Sequence, residues 1–156
     1  MGDWYFIQSR AIDSGNKIVL TVQNGAGPTL PTPGTRVISS PPVTDPGPMD
    51  SQLWQVTGKT WEQTITSKLD SNLKLAVDPA NSNMVVVAYE RADYRYPWIW
   101  AAPPIGSYDH ALILIGQQDL ALDIYGGGYN YHYIDVWPEG NNQDNQHWQL
   151  VSAAFS

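Results

Sequence analysis

No cysteine occurs in the 156 residues, so neither a disulfide framework nor a thiolate nucleophile is available to this chain. Charge is scarce. Asp, Glu, Lys and Arg make up 15% of the residues, and 8 basic against 15 acidic side chains leave a net charge of −7. No basic stripe is visible, which argues against nucleic acid as a partner, because affinity for phosphate backbones comes from clustered Lys and Arg. Long hydrophobic runs are also missing. Stretches such as Val85-Val86-Val87-Ala88 are far too short to span a bilayer, so no membrane insertion is expected. The chain opens without a charged segment followed by an apolar one, and it holds no Asn-X-Ser/Thr sequon. Together with the missing cysteines these features lead to the expectation of a cytosolic protein, with a mature secreted chain as the alternative. Sustained helical periodicity is absent, while Gly and Pro together number 25. That balance excludes long surface helices and favours short strands joined by many turns.

Catalytic signatures are lacking too. The three histidines, His110, His132 and His147, show no metal-ligand spacing. No serine has nucleophile-elbow flanks, and the fifteen carboxylates form no pair marked by spacing as an acid/base couple. The expectation is a binder rather than an enzyme, with no catalytic residues, metal or cofactor.

Trp and Tyr are abundant. Seven Trp and nine Tyr stand against two Phe, and such rings suit half-wet binding sites as well as cores. Three tryptophans recur in similar settings, in Gln52-Leu53-Trp54, Trp98-Ile99-Trp100 and Gln146-His147-Trp148, at separations of 46 and 48 residues. Upstream of each lies a Leu-X-(Val/Ile) step: Leu20-Thr21-Val22, Leu75-Ala76-Val77 and Leu122-Asp123-Ile124. A further β-rich segment lies between step and tryptophan, and an alternating stretch opens each copy. The pattern predicts four short strands per unit and three units, over about 1–57, 58–104 and 105–156. One such unit cannot bury its own apolar face, so the three must close on one another as a single domain with pseudo-threefold symmetry. Trp54, Trp100 and Trp148 are the expected core plugs. The first unit is longer because of a proline-rich surface segment between Gly25 and Asp50.

On these residues the chain resembles the ricin-B-type (QxW) lectins, whose fold is an all-β β-trefoil. The likeness is most specific in the third unit. There Leu122-Asp123-Ile124, Ile134-Asp135-Val136-Trp137-Pro138 and Asn145-Gln146-His147-Trp148 follow the family's sugar-site pattern in order and spacing. The missing cysteines and leader are closest to the cytosolic lectins of mushroom fruiting bodies. The resemblance implies a carbohydrate-binding protein with a defence role, galactose or N-acetylgalactosamine as ligand, and glycoproteins or glycolipids as partners. It leaves monomer and homodimer open.

The residue chemistry suits that implication. Asp123 can accept hydrogen bonds from two adjacent hydroxyls, Asn145 offers a donor and an acceptor, and Trp137 can stack on the C–H face of a sugar. Asp135 and Gln146 would orient Asp123 and the loop, or reach the sugar directly. Tyr125, Gly126 and His132 belong to the lip Tyr125–Tyr133, whose three glycines permit unusual backbone angles and close approach. The other units depart from the pattern. Thr21 and Ala76 replace the aspartate, and only Tyr89 stands near the place of Trp137. The middle unit carries its own aromatic cluster, Tyr89, Tyr94, Tyr96 and Trp98 with Arg91 beside it, as a second candidate glycan site. A competing reading is a protease inhibitor that presents the proline-stiffened segment Pro28–Arg36 around Arg36.

Overall fold

The computed structural model describes residues 3–23, 32–59, 61–89, 99–102, 111–114, 120–138, 140 and 143–153. Twelve strands run along it, four to a unit. The first unit holds β1 (Tyr5–Ser9), β2 (Val19–Val22), β3 (Thr35–Ser40) and β4 (Trp54–Lys59). The second holds β5 (Glu62–Ser67), β6 (Leu73–Asp78), β7 (Met84–Tyr89) and β8 (Trp100–Ala101). The third holds β9 (Ile113–Leu114), β10 (Leu120–Ile124), β11 (Ile134–Pro138) and β12 (Trp148–Ser152).

First and fourth strands form a ring. Strand β12 pairs with β1, and pairings β1–β4, β4–β5, β5–β8 and β8–β9 carry the sheet round to an Ala111–His147 bridge at the edge of β12. The second and third strands make three hairpins, β2–β3, β6–β7 and β10–β11. In the β6–β7 connection a short 3-10 turn (Pro79–Asn81) leads into Ser82 and Asn83, whose φ of 57° and 58° are left-handed. The third strands then meet in rotation, Arg36 with Val86, Met84 with Asp135, and Tyr133 with Ile38.

The same threefold relation governs the core. The indole N–H of Trp54 donates to the Leu20 carbonyl, that of Trp100 to Leu75, and that of Trp148 to Leu122, at 3.2, 2.9 and 3.0 Å. All three rings are fully buried among the Leu, Ile and Val of the hairpins. The expected core plugs are in place, each with its polar edge satisfied, as burial of an indole requires. The protein is an all-β β-trefoil. Of the remaining tryptophans, Trp4 packs beside a small satellite cluster with Lys68 over its ring, and Trp61 is exposed beyond β4.

Candidate functional site

Pairing in β10–β11 decides what faces outward. Along β10 the alternation places Leu122 and Ile124 in the core, and along β11 Ile134 and Val136 join them. The opposite face carries the cross-strand pairs Ala121–Trp137 and Asp123–Asp135, continued by Tyr125 and Tyr133, which are joined by a 2.9 Å backbone hydrogen bond. A cleft of about 400 Å³ opens over this face, lined by Asp123, Ile124, Tyr125, Gly126, Asp135, Trp137, Gln143 and Asn145. Six of the eight residues expected at the site therefore meet in one cavity.

Trp137 is 60% exposed, a large apolar plate held upright by the strand with nothing of the core against it. Asn145 lies in a short 3-10 turn (Asp144–Gln146) before β12. Its Nδ2 donates to Asp123 Oδ1 at 2.7 Å and more weakly to the Ile124 carbonyl at 3.4 Å. The amide thus fixes one carboxyl oxygen of Asp123 and keeps its own carbonyl available as an acceptor.

Asp123 and Asp135 form a buried acid pair, 8% and 3% exposed. Burial, then the hydrogen bond and charge of Asp135, push Asp123 up to about 8, while a hydrogen bond from Gln146 pulls it the other way. Burial also raises Asp135, opposed by hydrogen bonds from Asp123 and its own backbone. Asp135 Oδ1 is buried and meets no N–H or O–H donor. A carboxyl that keeps its proton lessens the like-charge contact between the two neighbours. Asp123 therefore holds its proton to a higher pH than an exposed carboxyl does.

Gln146 does not line the cleft. It is fully buried; its Nε2 donates to the Pro138 carbonyl at 3.1 Å and its Oε1 accepts from Gly140 N–H at 2.7 Å. Gln52 in the first unit does the same with Pro41 and Val43. The glutamine of each Gln-X-Trp is a bracket that holds the end of the third strand against the turn before the fourth. Of its two expected roles, orientation fits this geometry and direct reach to a sugar does not.

His132 stands behind the lip. Its Nδ1 is 2.8 Å from the Tyr125 carbonyl oxygen and close to Gly126, so it supports the Tyr125–Gly126 turn and takes no place in the cleft lining. Gly126 and Gly127 have φ of 84° and 120°, angles that other residues rarely adopt. Gly128 serves differently, since a Cβ there would lie 2.7 Å from Ala11 Cβ.

That contact belongs to a seam between the third and first units. Ser39 of β3 donates Oγ–H to the Tyr129 carbonyl at 2.7 Å and accepts the His132 N–H at 3.0 Å, and its backbone carbonyl accepts the Tyr131 N–H. Asp13 accepts the Asn130 N–H at 2.9 Å. Sequence reasoning missed Ser39, Asp13 and Gln143. Only Gln143 had a usable signal, as the residue that opens the Asp-Asn-Gln turn.

The pairing also identifies the equivalents of the site in the other units. Leu20, Leu75 and Leu122 correspond through their tryptophan bonds, so Asp123–Asp135 corresponds to Thr21–Ile38 and to Ala76–Val86. Trp137 then corresponds to Ser40 and Ala88. The match of Trp137 with Tyr89 is corrected by one residue, because Lys74 pairs with Ala88 as Ala121 pairs with Trp137. Ala76, Val86 and Ala88 form a buried apolar cluster, so the middle unit has no polar cleft at this place. Of the second candidate site, only the backbone of Tyr89 is described; Arg91, Tyr94, Tyr96 and Trp98 lie outside the described residues. Arg36 sits in β3 opposite Val86, its guanidinium carbon 4.9 Å from the Tyr133 ring centroid. It is a strand residue at the end of the segment that the inhibitor reading invokes, in contact with a ring of another unit; Pro28, Thr29, Leu30 and Pro31 lie outside the described residues.

No family model and no curated protein matches the sequence. Solved structures do match. The C-terminal half of an earthworm R-type lectin, solved in complex with GalNAc, is 21% identical with a TM-score of 0.68, covering 96% of this chain and 98% of that one. The designed threefold-symmetric protein ThreeFoil is 18% identical with a TM-score of 0.71, covering 95% and 97%. A Macrolepiota procera ricin B-like lectin in complex with lactose is 15% identical with a TM-score of 0.67, covering 96% and 95%. At these identities the likeness establishes the β-trefoil fold.

Proposed function

We propose that the protein is a lectin that binds a neutral sugar residue of the galactose or N-acetylgalactosamine type in the third-unit cleft. One observation carries the reading: an exposed indole, a hydrogen-bonding carboxyl and an amide converge on a single cavity from β10, β11 and the following turn. Trp137 stacks on the apolar C–H face, and Asp123 and Asn145 take a pair of adjacent hydroxyls. Hydroxyl donors favour the charged form of Asp123, so ligand and proton compete. The earthworm and Macrolepiota structures, which hold GalNAc and lactose, support a galactose-type ligand. Defence against organisms that display such glycans is the role we assign to this binding.

An enzymatic role is less well supported. Glycoside hydrolysis places its two carboxyls on opposite sides of the scissile bond, whereas Asp123 and Asp135 are cross-strand neighbours on one wall. A cleft of this size, open to solvent, implies weak binding to a monosaccharide and a need for multivalent ligands.

The test is glycan-array and calorimetric binding of the intact chain beside Trp137→Ala and Asp123→Asn. Loss of lactose and GalNAc binding in both folded variants is expected. Full binding in both would move the site elsewhere, first to the middle unit.

A further inference from the structure

The outward face of β10–β11 is longer than the cleft. From Trp137 to Tyr133 it runs four residues, roughly 13 Å at the strand repeat, more than one hexose occupies. Tyr125 is shared by the cleft and this extension. Tyr133 follows as its cross-strand neighbour, and both rings are about half exposed. Over the Tyr133 ring lies Arg36, its guanidinium carbon 4.9 Å from the centroid. A cation–π contact is not a hydrogen bond to a carboxylate, so it leaves N–H donors of the guanidinium for an anion.

Arg36 is notable for its surroundings. Among the described residues no carboxylate pairs with it, although acidic residues outnumber basic ones by almost two to one in the chain. Arg10, the other described arginine, is held by Asp144 at 2.6 Å. The lip beneath this end is clamped by Ser39, so the subsite is built on fixed backbone.

We propose that Tyr125, Tyr133 and Arg36 form a second subsite, and that it takes an anionic sugar residue or substituent, a carboxylate or a sulfate, attached to the neutral residue bound at Trp137. This rests on reading the cleft as a galactose-type site. The rings supply apolar contact to the sugar, and Arg36 supplies paired N–H donors to the anion.

Calorimetry with lactose, lactose 3′-sulfate and 6′-sialyllactose, at low and at physiological salt, tests the proposal and separates sulfate from carboxylate. At least one anionic ligand is expected to bind about tenfold tighter than lactose, with the gain shrinking as salt rises. Arg36→Gln should remove the gain and leave lactose affinity unchanged, and Arg36→Lys should keep part of it. The proposal is overturned if no anionic ligand exceeds lactose, or if the gain survives in Arg36→Gln. Failure of the intact protein to bind any of the three, lactose included, would instead overturn the reading of the cleft, and this proposal with it.

Discussion

Asp123 and Asp135 face each other across the β10–β11 hairpin, both buried, and Asp135 Oδ1 meets no hydrogen-bond donor. The unfolded chain releases the Asp123 proton near pH 4, whereas burial and the neighbouring carboxyl hold it to about 8 in the native state. Native protein binds more protons than unfolded protein between those values, so this pair makes stability fall as pH rises from 4 to 8. The slope is at most about 1.4 kcal/mol per pH unit for one proton. Asp123→Asn keeps the shape and lets an amide serve Asp135. Its stability relative to the parent should therefore rise steadily from pH 5 to 8 in urea titrations. Parallel profiles for the two proteins would show that Asp123 does not hold its proton.

Gln52 and Gln146 make the same two brackets in different units, but only one lies behind the cleft. Each replacement by Ala leaves a part-buried carbonyl and a backbone N–H without a partner, at a cost of about 1 to 3 kcal/mol. Equal losses in stability are expected, with weakened glycan binding in Gln146→Ala alone. Binding lost equally in both would mean that the glutamine acts only through global stability.

The tryptophans should divide by role. Trp148→Ala opens a large cavity and orphans the Leu122 carbonyl, which costs about 3 to 5 kcal/mol or prevents folding. Trp137→Ala removes an exposed plate and should change the denaturation midpoint little while abolishing sugar binding. A large loss of stability in Trp137→Ala would show that its ring packs in the fold.

Ser39→Ala and Gly128→Ala both loosen the seam between the first and third units, one by removing hydrogen bonds to the lip, the other by forcing a Cβ against Ala11. Both should weaken glycan binding severalfold, and Ser39→Ala should cost about 1 to 3 kcal/mol of stability. Faster amide exchange confined to the lip would accompany the loss. Unchanged affinity in both variants would mean that the lip does not form the binding surface.

The sequence alone determined the repeat, the strands among the described residues, the three core tryptophans and the unit that carries the polar cleft. These are local or periodic properties. Alternation decides which side chains of a strand share a face, and a spacing of 46 to 48 residues marks each unit. It also brought Asp123, Trp137 and Asn145 together, since all three lie within one hairpin and the turn that follows it.

What only the tertiary structure decided depends on register and on contacts between distant segments. Strand pairing made Asp123 and Asp135 direct partners and put Ala88, not Tyr89, in the place of Trp137. Packing within the third unit turned Gln146 to Pro138 and His132 to Tyr125, and closure of the barrel laid Arg36 of the first unit over Tyr133 of the third. Ser39 lies about ninety residues from the loop that it clamps. No local pattern encodes such a contact, because it exists only once three units have closed around a common core.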